Sequence, residues 1–197
     1  TAAARGPVNG PWPSPRGPAA ATARLRAVPE DFQVDELLGF EPEGSGEHLF
    51  LQLRKRGLDS DEVARRIARW ASVAPGAVSY AGRKDRHAVT SQWFSVQLPG
   101  RADPDPALLA GDDALVVLAS ARHPRKLRRG VHRGNAFRLR LRDLDANGGD
   151  DGTGGEAMLE PRLADIARRG VPNYFGEQRF GSGGSNLAQA RRWRDGG

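Results

Sequence analysis

The sequence has no cysteine, very little lysine and no long uncharged apolar run, and each shortage excludes a class of protein. Without cysteine the chain forms no disulfide and no thiolate metal site, which fits a reducing compartment. Without an apolar run of about 20 residues it offers no candidate membrane helix. Residues 1–22 also lack the apolar core of a secretory signal. We therefore expect a cytoplasmic protein that is not embedded in a membrane.

Arginine dominates the charge that is present. The 197 residues carry a formal net charge of +6 and a pI of about 10.6, while lysine occurs only at Lys55, Lys84 and Lys126. A planar guanidinium makes paired hydrogen bonds to phosphate and stacks on bases, so the excess suits a polyanionic partner. Residues 1–22 are mostly Ala, Gly, Pro and Arg, which predicts a disordered leader before one domain over 23–197.

Hydrophobic periodicity predicts both strands and helices in this domain. In "HLFLQLRKRG" the three leucines share one face, which indicates a strand ending at Gly57. Asp59 is the predicted N-cap of a helix that ends before Pro75. Two short strands are predicted within 24–40, separated at Val28–Pro29. Further predicted strands are one that ends at Tyr80, one from about Thr90 to Leu98, and one within 113–123.

The densest basic segment runs from Arg122 to Arg142. Apolar residues alternate with arginine from Phe137 onward, so a strand there would have one apolar and one wholly cationic face. Two interpretations of the segment stay open: a solvated run of charge, or a surface that binds nucleic acid through phosphates while aromatic rings stack on unpaired bases. The candidate phosphate contacts are Arg125, Lys126, Arg128 and Arg129.

Two helices are predicted toward the end of the chain. "PRLADIARRG" predicts a helix with Pro161 in its first turn and Gly170 at its end. "GSGGSN" has the glycines of a phosphate loop but not its lysine, and leads into a short helix capped by Ser185 or Asn186. Four histidines without ligand spacing, and a partial calcium-loop match starting at Asp143 without the acidic twelfth position, predict no metal site.

Asp85 is the candidate catalytic residue in "YAGRKDRHAVTSQWFSV". Arg83, Lys84 and Arg86 flank it, and three cations within two positions favour an ionised carboxylate. An ionised aspartate is a competent nucleophile or base, and a position just after a short strand would project it from a rigid edge. The alternative is a charged hairpin turn, which the spacing alone leaves open.

Three segments together resemble a known family. "AGRKDRHAVTSQ", "RGNAF" and "GVPNYFGEQRFGSGGSNL" are similar, in order and approximate spacing, to the signature blocks of the TruD family of pseudouridine synthases. "PEDFQVDELLGFEPEGSGEHLFLQLRKRG" also resembles the amino-terminal segment of that family. The resemblance extends from about residue 23 to the end of the chain, and its third block is the longest and most specific.

The resemblance implies the pseudouridine synthase catalytic fold. We expect an α+β domain with a mixed, largely antiparallel sheet, helices, and the active cleft across the face of the sheet. The implied reaction is isomerisation of a uridine in tRNA, typically uridine 13 of the D-arm, with no cofactor and no metal. By motif, Asp85 is the catalytic residue, and Phe32, Asn135 and Phe137 are substrate-site residues.

The chemistry of these residues fits the implied roles. Phe32 can replace the stacking that an extruded uracil loses, and Asn135 offers both a donor and an acceptor. Asp85 would attack C6 of the base or C1′ of the ribose, or remove a 2′ proton to give a glycal, and the sequence leaves these three routes open. Arg83 and Lys84 would keep Asp85 ionised and meet RNA phosphates.

The length of the chain departs from the family pattern. Family members continue past the last predicted helix with an accessory insertion and further strands, so we expect a truncated, amino-terminal half with an exposed sheet edge. Tyr174, Phe175 and Arg179, in the third block, are expected mainly to shape the cleft. We expect a monomer with tRNA as its partner. The alternative function is a non-catalytic RNA-binding module or an inactive fragment.

Overall fold

The computed structural model describes residues 21–110, 113–145, 154–172, 180–181 and 185–196. The chain divides into two compact units, of which Ala23–Leu144 holds the sheet and the candidate site. The second unit takes the remaining residues and includes the two later helices. The predicted leader, apart from its last two residues, lies outside the described part of the chain. No helix among the described residues is long and apolar enough to cross a bilayer.

Most strands join one sheet. They are β1 (Thr22–Leu25), β2 (Phe32–Leu37), β3 (His48–Arg56), β4 (Val78–Tyr80), β5 (Val89–Gln97), β6 (Leu115–His123), β7 (Gly134–Leu139) and β8 (Leu141–Asp145). The six-stranded sheet has the order β6-β3-β5-β2-β7 with β4 added beside β5, while β1 pairs with β8. β2 runs parallel to β5, and the other pairs described in this sheet are antiparallel. The predicted mixed, largely antiparallel sheet is therefore confirmed.

Helix α1 (Ser60–Trp70) packs against one face of the sheet. It begins as predicted, because the Asp59 carboxylate accepts a hydrogen bond of 2.7 Å from the amide of Glu62. Val63 and Ile67, one helical turn apart, are fully buried and pack in the main core with the three leucines of β3. The apolar residues that recur every 3.6 residues in the helix and every 2 residues in the strand thus pack together in one apolar layer.

The opposite face of the sheet carries a smaller core cluster. Phe50, whose side chain points away from the leucines of β3, lies there with Leu38, Ala81 and Leu127. Ala81 begins the loop that contains Asp85, and Leu127 lies in the middle of the basic segment. This cluster therefore fixes both segments to the same sheet.

The basic strand predicted through Phe137 is interrupted. β7 ends at Leu139, and the Arg140 amide donates to the Asp31 carbonyl at 2.8 Å where β2 begins. Since β2 starts only after the Pro29–Asp31 turn, β7 has no ladder partner beyond this point, and the chain continues as β8 beside β1. The predicted wholly cationic face is also wrong, because Arg142 binds the buried Asp31 carboxylate through two hydrogen bonds of 2.8 and 2.9 Å.

The helix predicted from Pro161 starts earlier. α2 spans Gly154–Arg169, so Pro161 is inside it rather than in its first turn. The preceding residues "EAMLE" are good helix formers, which extend the helix despite the hydrogen bond that proline cannot make. Gly170 ends the helix as predicted, with a positive φ of 68°. α3 spans Ser185–Arg194, close to the predicted start.

Candidate active site around Asp85

The loop of residues 81–88 lies where one edge of β5 lacks strand neighbours. β2 pairs with the beginning of β5 and β4 with its end, both on the edge opposite β3. Side chains fill the interval between them. The Trp93 amide donates to Glu36 Oε1 at 3.0 Å, and Gln92 Nε2 donates to the Gly82 carbonyl at 3.0 Å. The loop thus rests on a polar floor supplied by β2 and β5.

Asp85 is the exposed carboxylate of this loop. Its side chain is 44% exposed, and its Oδ2 lies 3.4 Å from Nη2 of Arg26, whose own side chain is 39% exposed. Arg26 is 59 residues away in sequence, in the turn between β1 and β2, and sequence analysis missed it. Only the folded chain brings this arginine to Asp85, since no local motif links the two.

The cations that flank Asp85 have other partners. Arg83 pairs with Asp61 at 2.8 Å, and Arg86 Nε donates to the Gly57 carbonyl at 3.2 Å. Lys84 is 8% exposed and forms an ion pair of 2.5 Å with the buried Glu36. The expectation that these three residues serve as the counter-ions of Asp85 is therefore not met by the structure, which gives that place to Arg26.

Buried polar groups hold the loop from below. The Lys84 amide donates to Ser60 Oγ at 2.9 Å, and Ser60 Oγ donates to Gln92 Oε1 at 2.6 Å. Lys55, 1% exposed, directs its ammonium at backbone carbonyls of the loop. Burial lowers the pKa of Lys55 from its ordinary value of 10.5 to about 8. The loop is thus attached to α1, β3 and β5 at once.

Two aromatic rings adjoin Asp85 through Arg26. The Arg26 guanidinium carbon lies 3.8 Å from the centre of the Phe32 ring, a cation–π contact. Phe32 and Phe137 meet edge to face with ring centres 6.1 Å apart. Phe32 is 7% exposed and Phe137 is 61% exposed. The structure therefore brings Asp85, Phe32 and Phe137 together from three separate segments.

Asn135 lies in β7 opposite Glu36 of β2. Its Nδ2 is 3.5 Å from Nε2 of His132, and His132 Cε1 would be 3.3 Å from a Cβ added at Gly82. Asn135 therefore reaches the loop through His132. Among the described residues, Asn135 Oδ1 and His132 Nδ1 are buried without a hydrogen-bond partner. Such atoms are costly to leave unpaired, so they mark a place where a donor would be stabilising.

The part of the basic segment from Arg125 to Arg129 is anchored by Leu127, its one apolar residue. Leu127 is 1% exposed, its amide donates to Ser95 Oγ at 3.1 Å, and its carbonyl accepts from Ser79 Oγ at 2.8 Å. The Gly130 amide donates to the Ala81 carbonyl at 2.7 Å, which links this segment to the candidate catalytic loop. The exposed cations around Leu127 are Arg125, Lys126, Arg128 and Arg129.

These cations border open grooves on the surface of the unit that holds the sheet, Ala23–Leu144. Arg125, Lys126 and Arg128 line a cavity of about 530 Å³ whose wall includes Phe40 and His123. Lys126 Nζ donates to the Gly76 carbonyl at 3.1 Å. Arg125, Arg128 and Arg129 make no ion pair in the described part of the chain, in contrast to Lys84. The structure therefore leaves their charges available to a polyanion.

The third signature block is only partly described. Gly170, Val171 and Pro172 follow α2, and residues 185–187 begin α3. The three residues expected to shape the cleft lie outside the described residues; they are Tyr174, Phe175 and Arg179.

Comparison with known proteins identifies similar sequences and a similar fold. Residues 18–187 match the family model for tRNA pseudouridine synthase D (TruD). A tRNA pseudouridine synthase D of Methylococcus capsulatus is 55% identical over 180 residues, which are 91% of this chain and 48% of the relative. One of Pseudomonas syringae pv. syringae is 54% identical over 179 residues, with the same two shares.

A solved structure supports the same relationship. The crystal structure named for tRNA pseudouridine synthase D of Methanosarcina mazei matches with a TM-score of 0.65 and 33% identity. The match covers 81% of this chain and 35% of that one. The chain spans about half the length of the curated relatives that it matches.

Proposed function

The chain belongs to the TruD family of tRNA pseudouridine synthases, and we propose that the complete protein carrying it converts a uridine of tRNA to pseudouridine with Asp85 as the catalytic residue. Uridine 13 of the D-arm is the target that we expect. One observation carries the proposal: Asp85 lies 3.4 Å from an arginine that stacks on Phe32, so an accessible carboxylate adjoins an aromatic pair. That combination suits chemistry on an extruded base.

The reaction exchanges one glycosidic bond for another. The N1–C1′ bond breaks, the uracil turns within the pocket, and a C5–C1′ bond forms. The proton on C5 leaves and a proton ends on N1, so product and substrate have the same composition. Asp85 would add to C6, add to C1′, or remove the 2′ proton, and the geometry of the free site favours none of these over the others.

Arg26 would orient the carboxylate for this step. Its guanidinium contacts Asp85 and the Phe32 ring together, so the ring limits where the cation, and with it the carboxylate oxygen, can lie. A cation on an aromatic face keeps its charge while it is partly desolvated. We infer that Arg26 is held in place before the RNA binds.

The aromatic pair and Asn135 would receive the uracil. Phe137 is the exposed ring of the pair, so it offers a stacking surface at once. Phe32 is buried and one of its faces is covered by the Arg26 guanidinium, so in the proposed site it supports the exposed ring edge to face and holds the cation beside the uracil. Asn135 Oδ1, buried and without a donor in the described part of the chain, would accept a hydrogen bond from an N–H of the uracil edge.

The basic segment would bind the RNA backbone. Arg125, Arg128 and Arg129 are exposed and free of ion pairs among the described residues, and Lys126 beside them is also exposed. Arg83 is exposed although it is paired with Asp61, and it remains a candidate. Lys84 does not, because its ammonium is buried against Glu36. Phosphate contacts of this kind give affinity without reading sequence.

The direct test is pseudouridine formation by the complete protein and its Asp85→Asn variant. With C5-tritiated tRNA as substrate, the parent is expected to release tritium and the variant to be at least about 10³-fold slower, as when a nucleophile or base is removed. Asp103→Asn is the matched control, because Asp103 is a surface carboxylate whose partner is Arg122. Equal rates for the parent and Asp85→Asn would refute the assignment.

A second function, RNA binding without catalysis, is favoured by one observation: the three exposed arginines next to Leu127 lack ion pairs in the described structure. Binding of tRNA would then weaken steeply with salt. Replacing Arg125, Arg128 and Arg129 with alanine should flatten the slope of log K against log salt concentration by roughly two to three. A chain that binds tRNA with that slope and forms no pseudouridine would support this second function over the first.

A further inference from the structure

Lys55 is buried where the sheet itself does not require a charge. It is the penultimate residue of β3, opposite Thr90 of β5 and Leu115 of β6, and it is 1% exposed. Lysine is rarely buried to this extent without a partner. In the described part of the chain, the groups that meet its ammonium are backbone carbonyls and no carboxylate.

Three carbonyls surround the Lys55 ammonium. Nζ lies 2.6 Å from the Leu58 oxygen, 2.9 Å from the Asp85 oxygen and 3.4 Å from the Lys84 oxygen. An ammonium has three donors, so it can address all three oxygens at once. One side chain of β3 is thereby bonded to both peptide groups that flank Asp85.

Fixing those two peptide groups fixes the backbone of Asp85. The Lys84 carbonyl belongs to the peptide plane before the Asp85 Cα, and the Asp85 carbonyl belongs to the plane after it. Each plane is rigid, so the angle between the two is set by φ and ψ of Asp85 alone. Holding both carbonyls therefore determines the direction in which the Asp85 side chain leaves the loop.

We propose that Lys55 is a positioning residue for Asp85: its ammonium holds the two adjoining peptide groups so that the carboxylate projects toward Arg26 and the aromatic pair. This inference rests on the proposed role of Asp85. Lys55 sets the backbone, and Arg26 sets the remaining side-chain torsions from the solvent side. Misplacement of a reacting group by about 1 Å costs on the order of 10²-fold in rate, so loss of this support should appear in the chemical step.

The first test measures the loop itself. In Lys55→Met, a residue of similar length fills the space without a donor, and buried ions replaced in this way commonly leave a folded protein. The Lys84 amide, bonded to Ser60, is expected to exchange with solvent at least about tenfold faster in the variant, while the amides of α1 keep their rates. Unchanged protection at Lys84 would overturn the proposal.

The matched control is Thr90→Val. Thr90 is the cross-strand neighbour of Lys55, it is fully buried, and its Oγ1 has no hydrogen-bond partner within the described structure. The change therefore removes a buried polar group at the same depth without touching the loop carbonyls. Loop exchange and turnover are expected to match the parent. If Thr90→Val speeds loop exchange or slows turnover as much as Lys55→Met does, then any change at this buried position of the sheet has the same effect, and the proposal is overturned.

The second test measures turnover by the complete protein. Lys55→Met is expected to lower kcat for tRNA about 10- to 100-fold while KM stays within about threefold, because the phosphate contacts are elsewhere. The 197 residues contain no cysteine, so once any cysteine elsewhere in the complete protein is replaced by serine, Lys55→Cys can be alkylated with 2-bromoethylamine in the unfolded state and refolded, which restores an ammonium at nearly the length of lysine. Recovery of kcat to within about threefold of the parent supports positioning by the ammonium, and no recovery argues against it.

The experiments distinguish failure of the catalytic role of Asp85 from failure of the positioning role of Lys55. If parent and Asp85→Asn are equally active, the proposed function falls, while the exchange rate of the Lys84 amide still decides whether Lys55 holds the loop. If Asp85 proves essential and Lys55→Met keeps the parental kcat, the positioning role falls and the proposed function stands.

Discussion

Lys55 should couple the stability of the fold to pH in the alkaline range. Burial lowers its pKa from 10.5 to about 8, and of the nearby charges Asp59 and Asp85 oppose this while Lys84 adds to it. Between pH 8 and 10.5 the unfolded chain retains a proton that the folded chain has released. The free energy of unfolding therefore rises with pH over this range. The interval between the two pKa values corresponds to roughly 3 kcal/mol.

Comparison with Lys55→Met isolates this contribution. Urea unfolding of both proteins, followed by tryptophan fluorescence at pH 7, 8, 9 and 10, gives the difference between their unfolding free energies. The difference, parent minus variant, should be constant below pH 8 and then grow by about 1.4 kcal/mol per pH unit, because other titrating groups cancel. Thr90→Val should show no such slope. A difference that stays flat from pH 7 to 10 would refute the idea that burial disfavours the charged form of Lys55.

Three further predictions concern other parts of the sheet unit. Arg26→Ala should lower kcat for tRNA about 10-fold or more, measured by tritium release with folding checked by circular dichroism, because no other side chain contacts both the carboxylate and Phe32 in the described structure. Gly46→Ala should lower the melting temperature far more than Gly44→Ala; both have positive φ, but a Cβ at Gly46 would lie 2.5 Å from backbone atoms and one at Gly44 meets nothing. Hydrogen bonds from Arg142 lower the pKa of Asp31, so the stability that the ionised carboxylate provides is lost as pH falls through that lowered value. The free energies of unfolding of the parent and of Asp31→Asn, measured in an acid titration, should therefore converge below about pH 4.

Local sequence patterns predicted the elements whose bounds do not depend on a neighbouring strand. β3 alternates because its leucines face α1, and α1 begins at Asp59 because a capping aspartate bonds to an amide three residues on. The end of β7 followed no local pattern. It depends on where β2 begins, since a strand ends when its neighbour offers no further ladder partner. The alternation through Phe137 and Leu141 therefore looked continuous in sequence although it divides between two sheets.

Sequence motifs predicted the residues of the candidate site, and the contacts in the structure corrected the predicted counter-ion of Asp85. Asp85, Phe32, Asn135 and Phe137 come from blocks that the sequence displays, and the structure brings Asp85, Phe32 and Phe137 together and links Asn135 to the loop through His132. Their catalytic and substrate roles stay predictions. The counter-ion of Asp85 was not predictable, because charge adjacent in sequence is not charge adjacent in space: side chains next to Asp85 point to Asp61, Glu36 and Gly57.

The placement of buried charge connects the fold to the proposed chemistry. In the described structure four Asp, Glu and Lys side chains are buried, and three of them belong to or lie beneath the loop of residues 81–88: Lys84 in the loop, and Glu36 and Lys55 below it. Burying a charge costs desolvation, and apolar residues of similar size would commonly be as stable. The apolar core around α1 shows that this chain can pack such residues. What the charges provide instead is direction, since their hydrogen bonds fix carbonyls and amides that apolar contacts leave free to turn. A loop held in this way can keep its aspartate exposed to solvent and still fix its direction, which is the requirement that a base or nucleophile at a sheet edge must meet.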